Sequence, residues 1–164
     1  MRYFITFVCY GSHLHGRESG SVDRHHNLPG TPLLEPDSPR ATKELRRMAQ
    51  GSYCLDRSSR EAVLEAMREA CIHRGWSLLA AHVRTNHVHA IVEAEVAPER
   101  VMNTFKSYAS RRLNRKGGGD QGKRRWAHHG STRRLWKDED VRQALRYVVG
   151  EQGEPMAVFV ADGL

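Results

Sequence analysis

Cysteine is scarce in this chain, and what there is lacks any arrangement for chemistry. Among 164 residues only Cys9, Cys54 and Cys71 occur, at spacings that fit neither a metal-binding nor a disulfide framework. An odd number in largely apolar surroundings reads as buried free thiols in a reducing compartment. No apolar run is long enough to span a bilayer, and the first one stops at Gly11, before a signal segment is built. The expectation is a soluble cytoplasmic protein with no membrane partner. Internal repeats are also missing, and the length fits one domain over residues 1–164 with its own core. Acid is lacking in one place above all: from Lys106 to Lys137 there are eleven Lys or Arg residues and a single acid, Asp120.

That segment carries more than the whole formal charge of +7 behind the pI near 9.7, so the rest of the chain is slightly acidic. A basic segment at 106–137 suits a polyanion recruited through phosphate contacts and counterion release. A solvated basic loop is the plainer alternative.

Arg2 to Tyr10 (RYFITFVCY) is rich in β-branched and aromatic residues and is bounded by Gly11, as a buried strand would be. Residues 11 to about 38, rich in Gly, Pro, His and Asp, form a long loop of a kind more often functional than idle. Arg40 to Ala49 reads as a short helix and Ser52 to Leu55 as a short strand. Ser58-Ser59-Arg60-Glu61 has the form of a capping box. It opens a helix with an apolar stripe at Val63, Ala66, Met67, Ala70 and Cys71, ended by Gly75. Trp76 to Val83 and His87 to Glu93 follow as two strands joined tightly at Arg84 to Asn86. Ala97-Pro98-Glu99 starts the next helix, with proline in the first turn and an acid favouring the dipole, and Gly117-Gly118-Gly119 stops it. Asp138 is expected to cap a last helix with its stripe at Val141, Ala144, Leu145, Val148 and Val149. Met156 to Val160 is a final short strand. The order predicts an α+β domain with a largely antiparallel sheet and helices packed mainly on one face.

Ten histidines are present, and their placement separates them. His25-His26 and His128-His129 are adjacent, so on an extended chain they face opposite ways. His13 and His15 sit between glycines in the expected loop. Only His87 and His89 lie two apart on a well-supported strand, with Val88, Ala90 and Val92 on the opposite face. Two imidazoles on one strand face can hold one divalent ion. The competing reading makes them polar residues on an open sheet face. A complete site needs a third ligand, and positions left open would be the reactive ones.

About twenty residues on, Phe105-Lys106-Ser107-Tyr108-Ala109-Ser110-Arg111-Arg112-Leu113 places a tyrosine among cations. On a helical wheel Met102, Phe105, Ala109 and Leu113 form the buried stripe, and Tyr108 lies at its rim, roughly 100° from the centre. Tyr147 is the rival tyrosine, set among core residues of the last helix in a weaker basic setting. A phenol with a pKa near 10 needs a nearby cation to favour the phenolate. Given one, tyrosine attack on phosphorus forms a covalent intermediate and keeps the bond energy for resealing.

Taken together, Asn86-His87-Val88-His89 and Lys106-Ser107-Tyr108-Ala109-Ser110-Arg111 resemble the single-tyrosine HUH transposases and their REP-associated tyrosine transposase relatives. Gly130-Ser131-Thr132-Arg133-Arg134-Leu135-Trp136 and Arg146-Tyr147-Val148 through Gln152-Gly153 resemble the family's C-terminal part. The N-terminal strand and Gly30-Thr31-Pro32 resemble one branch of it. The resemblance implies a ferredoxin-like fold, Mg²⁺ or Mn²⁺ between His87 and His89, and Tyr108 as nucleophile. It further implies a single-stranded DNA substrate, often folded as a hairpin, cut to a 5′-phosphotyrosine and a free 3′-hydroxyl, with a homodimer as one arrangement. Relatives place a Gln or Asn ligand one turn after the tyrosine, where this chain has Arg112. Asn114 is the nearest amide, His13 or His15 are other sources, and Arg112 could instead clamp the phosphate. The expected DNA track comprises Lys106, Arg111, Arg112, Arg115, Lys123, Arg124, Arg125, Arg133 and Arg134, with Trp126 and Trp136 available to stack on bases. A DNA-nicking and joining enzyme is the function implied. A non-catalytic, domesticated binder of hairpin nucleic acid is the alternative.

Overall fold

Strand β1 (Arg2–Cys9) alternates along its whole length, with Tyr3, Ile5, Phe7 and Cys9 buried and Phe4, Thr6 and Val8 half-buried on the opposite face. A two-residue period of this kind commits one face of the sheet to a core and leaves the other to be covered separately. The computed structural model describes residues 1–12, 51–119 and 121–164. The helix expected at 40–49 and all but the first residues of the loop expected at 11–38 therefore lie outside the described residues.

After β1 come α1 (Arg57–Arg74), β2 (Ser77–Val83), β3 (His87–Glu93), α2 (Pro98–Lys116), β4 (Trp126–Arg134), α3 (Asp138–Gly150) and β5 (Ala157–Val160). The strands form one antiparallel sheet in the order β4-β1-β3-β2-β5. Its first six elements run β-α-β-β-α-β with strands ordered 4-1-3-2, the ferredoxin-like arrangement, and β5 extends the β2 edge.

Helices α1 and α2 share one face. Their Val63, Met67, Phe105, Ala109 and Leu113 pack with Ile5, Phe7, Val88, Ala90 and Val92 in the main core. A fully buried side chain such as Phe105 contributes about 1.5–3 kcal/mol relative to its exposed state. Helix α3 covers the other face, where Val141, Ala144 and Val148 meet Ala80 and Ile91. Two helices thus lie on one face and the third on the reverse, and that division decides which tyrosine meets the histidines.

Several boundaries differ from the sequence expectation. The α1 cap is Asp56, whose carboxylate accepts the Ser59 N–H at 2.8 Å. Gly75 ends the helix in the left-handed conformation, φ 68°. At the start of α3, Asp140 accepts the backbone N–H groups of Trp136 and Lys137, while Asp138 instead pairs with Arg2. Tyr53 and Leu55 each donate one backbone hydrogen bond, to Tyr10 and Thr85, but residues 52–55 build no ladder and are not a strand.

Strand β4 was not expected at all, because WAHHGSTRR carries no apolar alternation. As an edge strand it packs lightly, and its approach to β1 depends on a missing side chain. A Cβ at Gly130 would stand 2.5 Å from Met102 Sδ and 2.5 Å from the Thr6 carbonyl oxygen. The sulfur can move but the backbone oxygen cannot, so Gly130→Ala should destabilise the fold by about 1–3 kcal/mol. Urea unfolding would read this as a lower midpoint at unchanged slope.

Candidate active site

Register aligns three polar side chains across the sheet on the α3 face, with Thr6 and His82 each opposite His89. His87 lies two residues along on the same face, and the His87 and His89 ring centres are 4.9 Å apart. The alternation behind this is the expected one, because Val88, Ala90 and Val92 fill the main core behind the pair. His87 Nδ1 lies 2.7 Å from Asn86 Oδ1. Donation to that oxygen fixes the tautomer whose Nε2 carries the lone pair.

His89 is held from both sides, with Nδ1 2.8 Å from Thr6 Oγ1 and Nε2 3.2 Å from Gln152 Oε1. In one tautomer Nε2–H donates to Gln152 while Nδ1 accepts the Thr6 hydroxyl. In the other, Nδ1–H donates to Thr6, and the Nε2 lone pair then faces the Gln152 oxygen. Two acceptor atoms at that separation could share one cation, since metal–ligand bonds of about 2.1 Å put neighbouring ligands about 3 Å apart. Burial first, and then the nearby His87, push His89 down to about 3. It is therefore neutral across the physiological range, the form a ligand requires. Among the described residues no three His, Cys, Asp or Glu side chains are placed to hold one metal ion. The side chain that meets His89 Nε2 is the Gln152 amide.

Helix α3 supplies the rest of the site. The Tyr147 ring lies 5.4 Å from that of His89 and edge-on to Phe4 at 5.9 Å, and Gln152 Nε2 donates to the Tyr147 carbonyl at 3.3 Å. His82, fully buried, straps this end of the helix to the sheet. Its Nδ1–H donates to the Val148 carbonyl at 2.9 Å, and its Nε2 accepts the Met156 N–H at 3.1 Å. Arg84 adds a hydrogen bond to the Glu154 carbonyl at 3.0 Å. The segment bearing Gln152 is thus tied at both ends to β2. One chain brings two imidazoles, an amide oxygen and a phenol to one place.

Tyr108, the tyrosine expected there, is elsewhere. It packs at the edge of the main core formed with α1, with its hydroxyl 3.4 Å from His73 Nδ1 and the Arg111 guanidinium over its ring. The sheet stands between it and the histidine pair. The wheel placed it correctly at the rim of its helix, but that helix belongs to the other face. Arg112, at the position expected for a third ligand, forms an ion pair with Glu69 of α1, and the pairing holds the Glu69 carboxyl below its ordinary range. Asn114 is on α2 too, on the face away from the histidines. His13 and His15 lie outside the described residues. Gln152 and Thr6 were not foreseen in these roles. The signal for Gln152 was an amide about one turn beyond a tyrosine, a pattern that Tyr147 carries and Tyr108 does not.

The expected DNA cations are likewise divided. Lys106 is buried, donating from Nζ to the Ala127 and His129 carbonyls at 3.0 and 3.3 Å, and so caps edge-strand oxygens rather than meeting solvent. Arg125 is also buried, against Tyr53 and the Ser110 carbonyl. Trp126 donates to Ser110 and packs edge-on against Phe7, as part of the core. Arg111, Arg115, Lys123 and Arg124 are exposed, Arg124 lying over Tyr10. Arg134 stacks on exposed Trp136, and Arg133 lies over Phe4.

Burial lowers Lys106 from 10.5 to about 8. Between those values the unfolded chain binds the proton that the folded chain has released, so folding stability rises with pH across that window. The neutral amine retains two N–H donors for its two carbonyls. The stability of the unaltered protein relative to Lys106→Met should therefore climb from about pH 8 to pH 10.5 and stay level below it, as measured by urea unfolding.

A family model described as IS200-like transposase matches residues 49–150, more than half of the chain. No curated protein sequence matches. Among solved structures, the fold is similar to the REP-associated tyrosine transposase bound to a REP hairpin, with TM-score 0.50, 12% identity, and coverage of 90% of this chain and 64% of that one. The chain thus spans somewhat less than two thirds of that structure's length. A transposase candidate from Deinococcus radiodurans R1 aligns with TM-score 0.47 at 12% identity, over 90% of this chain and 88% of that one.

Proposed function

Because this chain belongs to the IS200-like transposase family, we propose that it nicks and rejoins single-stranded DNA with Tyr147 as the nucleophile. The observation that carries this is the position of His89, held between Gln152 and the Tyr147 ring within one chain. His87 Nε2, His89 Nε2 and Gln152 Oε1 would hold Mg²⁺ or Mn²⁺, with further positions left for water and phosphate oxygens. When bound, such an ion polarises the scissile phosphate, offsets its developing charge and favours the phenolate.

The chain's own groups do the rest. Tyr147 Oη loses its proton to solvent and attacks phosphorus in line with the leaving 3′ oxygen. The P–O3′ bond breaks, and that oxygen takes up a proton and departs as the free 3′-hydroxyl. The 5′-phosphate remains esterified to Tyr147, and attack by a 3′-hydroxyl reverses the step and reseals the strand. Thr6 and Asn86 orient the two imidazoles. His82 and Arg84 fix the loop that presents Gln152. The hairpin-bound relative makes folded single-stranded DNA the substrate to try first.

The test is incubation with Mn²⁺ and a labelled pool of hairpin-bearing single-stranded oligonucleotides, followed by a denaturing gel. A covalent protein–DNA band that chelator abolishes is expected. Salt-sensitive binding without any such band, unaffected by chelator, would select the non-catalytic binder instead.

A further inference from the structure

Among the described residues, Arg133 Nε is the one buried side-chain nitrogen or oxygen with no hydrogen-bond partner. Arg133 stands on β4 directly opposite Phe4, and so on the sheet face that carries Thr6, His87 and His89. Its Cζ is 5.9 Å from the centre of the Phe4 ring. The same ring lies 5.7 Å from that of His89 and 5.9 Å from that of Tyr147. Phe4 is the hub on which imidazole, phenol and guanidinium all rest.

Acids are present near the start of α3, but each is engaged. Asp138 pairs with Arg2, Glu139 with Arg142 and Arg146, and Asp140 accepts backbone N–H groups. Arg112 has Glu69, whereas Arg133 forms no ion pair among the described residues. The fold buries this one nitrogen of a half-buried guanidinium and gives it no acceptor, which a ligand oxygen would supply. The planar fork of Arg, with Nε and one Nη side by side, matches two oxygens of one phosphate.

We propose that Arg133 binds a backbone phosphate flanking the one attacked by Tyr147, laying the strand across Phe4 so that the scissile phosphorus faces the phenol. Arg133 stands on β4, with β1 between it and the histidine-bearing β3, which is why the flanking phosphate, rather than the attacked one, is its ligand. The inference rests on the site reading given above. It makes Arg133 a substrate-binding residue whose lack of a protein partner is tolerated for function, so removing it should not cost stability.

The probe is an oligonucleotide recovered as covalent adduct from the pool, remade with one neutral methylphosphonate at a time on either side of the cleavage point. Single-turnover adduct formation is followed at sub-saturating DNA for the unaltered protein, Arg133→Gln and Arg133→Lys, with Tm measured for each. Arg133→Gln should slow adduct formation about tenfold with Tm unchanged or raised, and Arg133→Lys should be intermediate. At one flanking position the methylphosphonate should slow the unaltered protein similarly yet leave Arg133→Gln no slower, because both changes remove the same contact. Losses that multiply at every position, or a fall in Tm for both variants, would overturn the proposal while Tyr147 dependence stays intact. An adduct that survives Tyr147→Phe would instead bring down the site reading and this inference with it.

Discussion

Tyr147→Phe should abolish covalent attachment to single-stranded DNA, lowering the adduct by at least about a thousandfold, whereas Tyr108→Phe should leave it within about twofold. The phenylalanine keeps the ring that packs edge-on against Phe4 and beside His89, so the site geometry and DNA binding should persist. Only the attacking oxygen is lost. Tyr108 lies across the sheet with its hydroxyl on His73, and its removal takes away one long hydrogen bond at the surface. A denaturing gel of the three proteins, with equal binding confirmed by anisotropy, measures both effects.

The second large effect concerns the donor set. His89→Ala removes the imidazole that Thr6 and Gln152 both orient, leaving His87 and an amide with no shared centre. Adduct formation should fall by at least about a hundredfold and not recover at high Mn²⁺. Gln152→Ala removes one of three donors but leaves both histidines, so it should raise the Mn²⁺ needed for half-maximal activity by about ten- to a hundredfold and recover at saturation. Electron paramagnetic resonance of bound Mn²⁺ supplies a readout independent of DNA. If both variants bind Mn²⁺ as the unaltered protein does, the ion is held elsewhere.

Much of the frame could be read from sequence because apolar spacing reports burial. The stripes on α1, α2 and α3 named residues now in the cores, Val149 excepted, and the composition of Arg2 to Tyr10 marked β1 as a strand. The histidine pair was legible for the same reason, since Val88, Ala90 and Val92 had to face inward. What spacing does not report is which face of a sheet a helix will cover. Helices α2 and α3 have stripes of similar form, and only the connection through edge strand β4 carries α3 to the reverse side. That strand was invisible because its residues alternate in no hydrophobic sense and one flank is open. Local basicity favoured Tyr108, yet several of those cations serve the fold. Lys106 closes strand carbonyls, Arg112 meets Glu69 and Arg125 meets Tyr53. Charge density along the chain marked them; only packing distinguishes structural cations from solvent-facing ones.

The most direct measurement is to digest the covalent adduct with trypsin and sequence the nucleotide-bearing peptide by mass spectrometry. Cleavage after Arg146 releases a peptide that begins at Tyr147 and contains no further Lys or Arg through Leu164. The nucleotide mass is expected on its first residue. Finding it instead on Ser107-Tyr108-Ala109-Ser110-Arg111 would show that the tyrosine across the sheet does the chemistry, and would contradict the assignment of Tyr147.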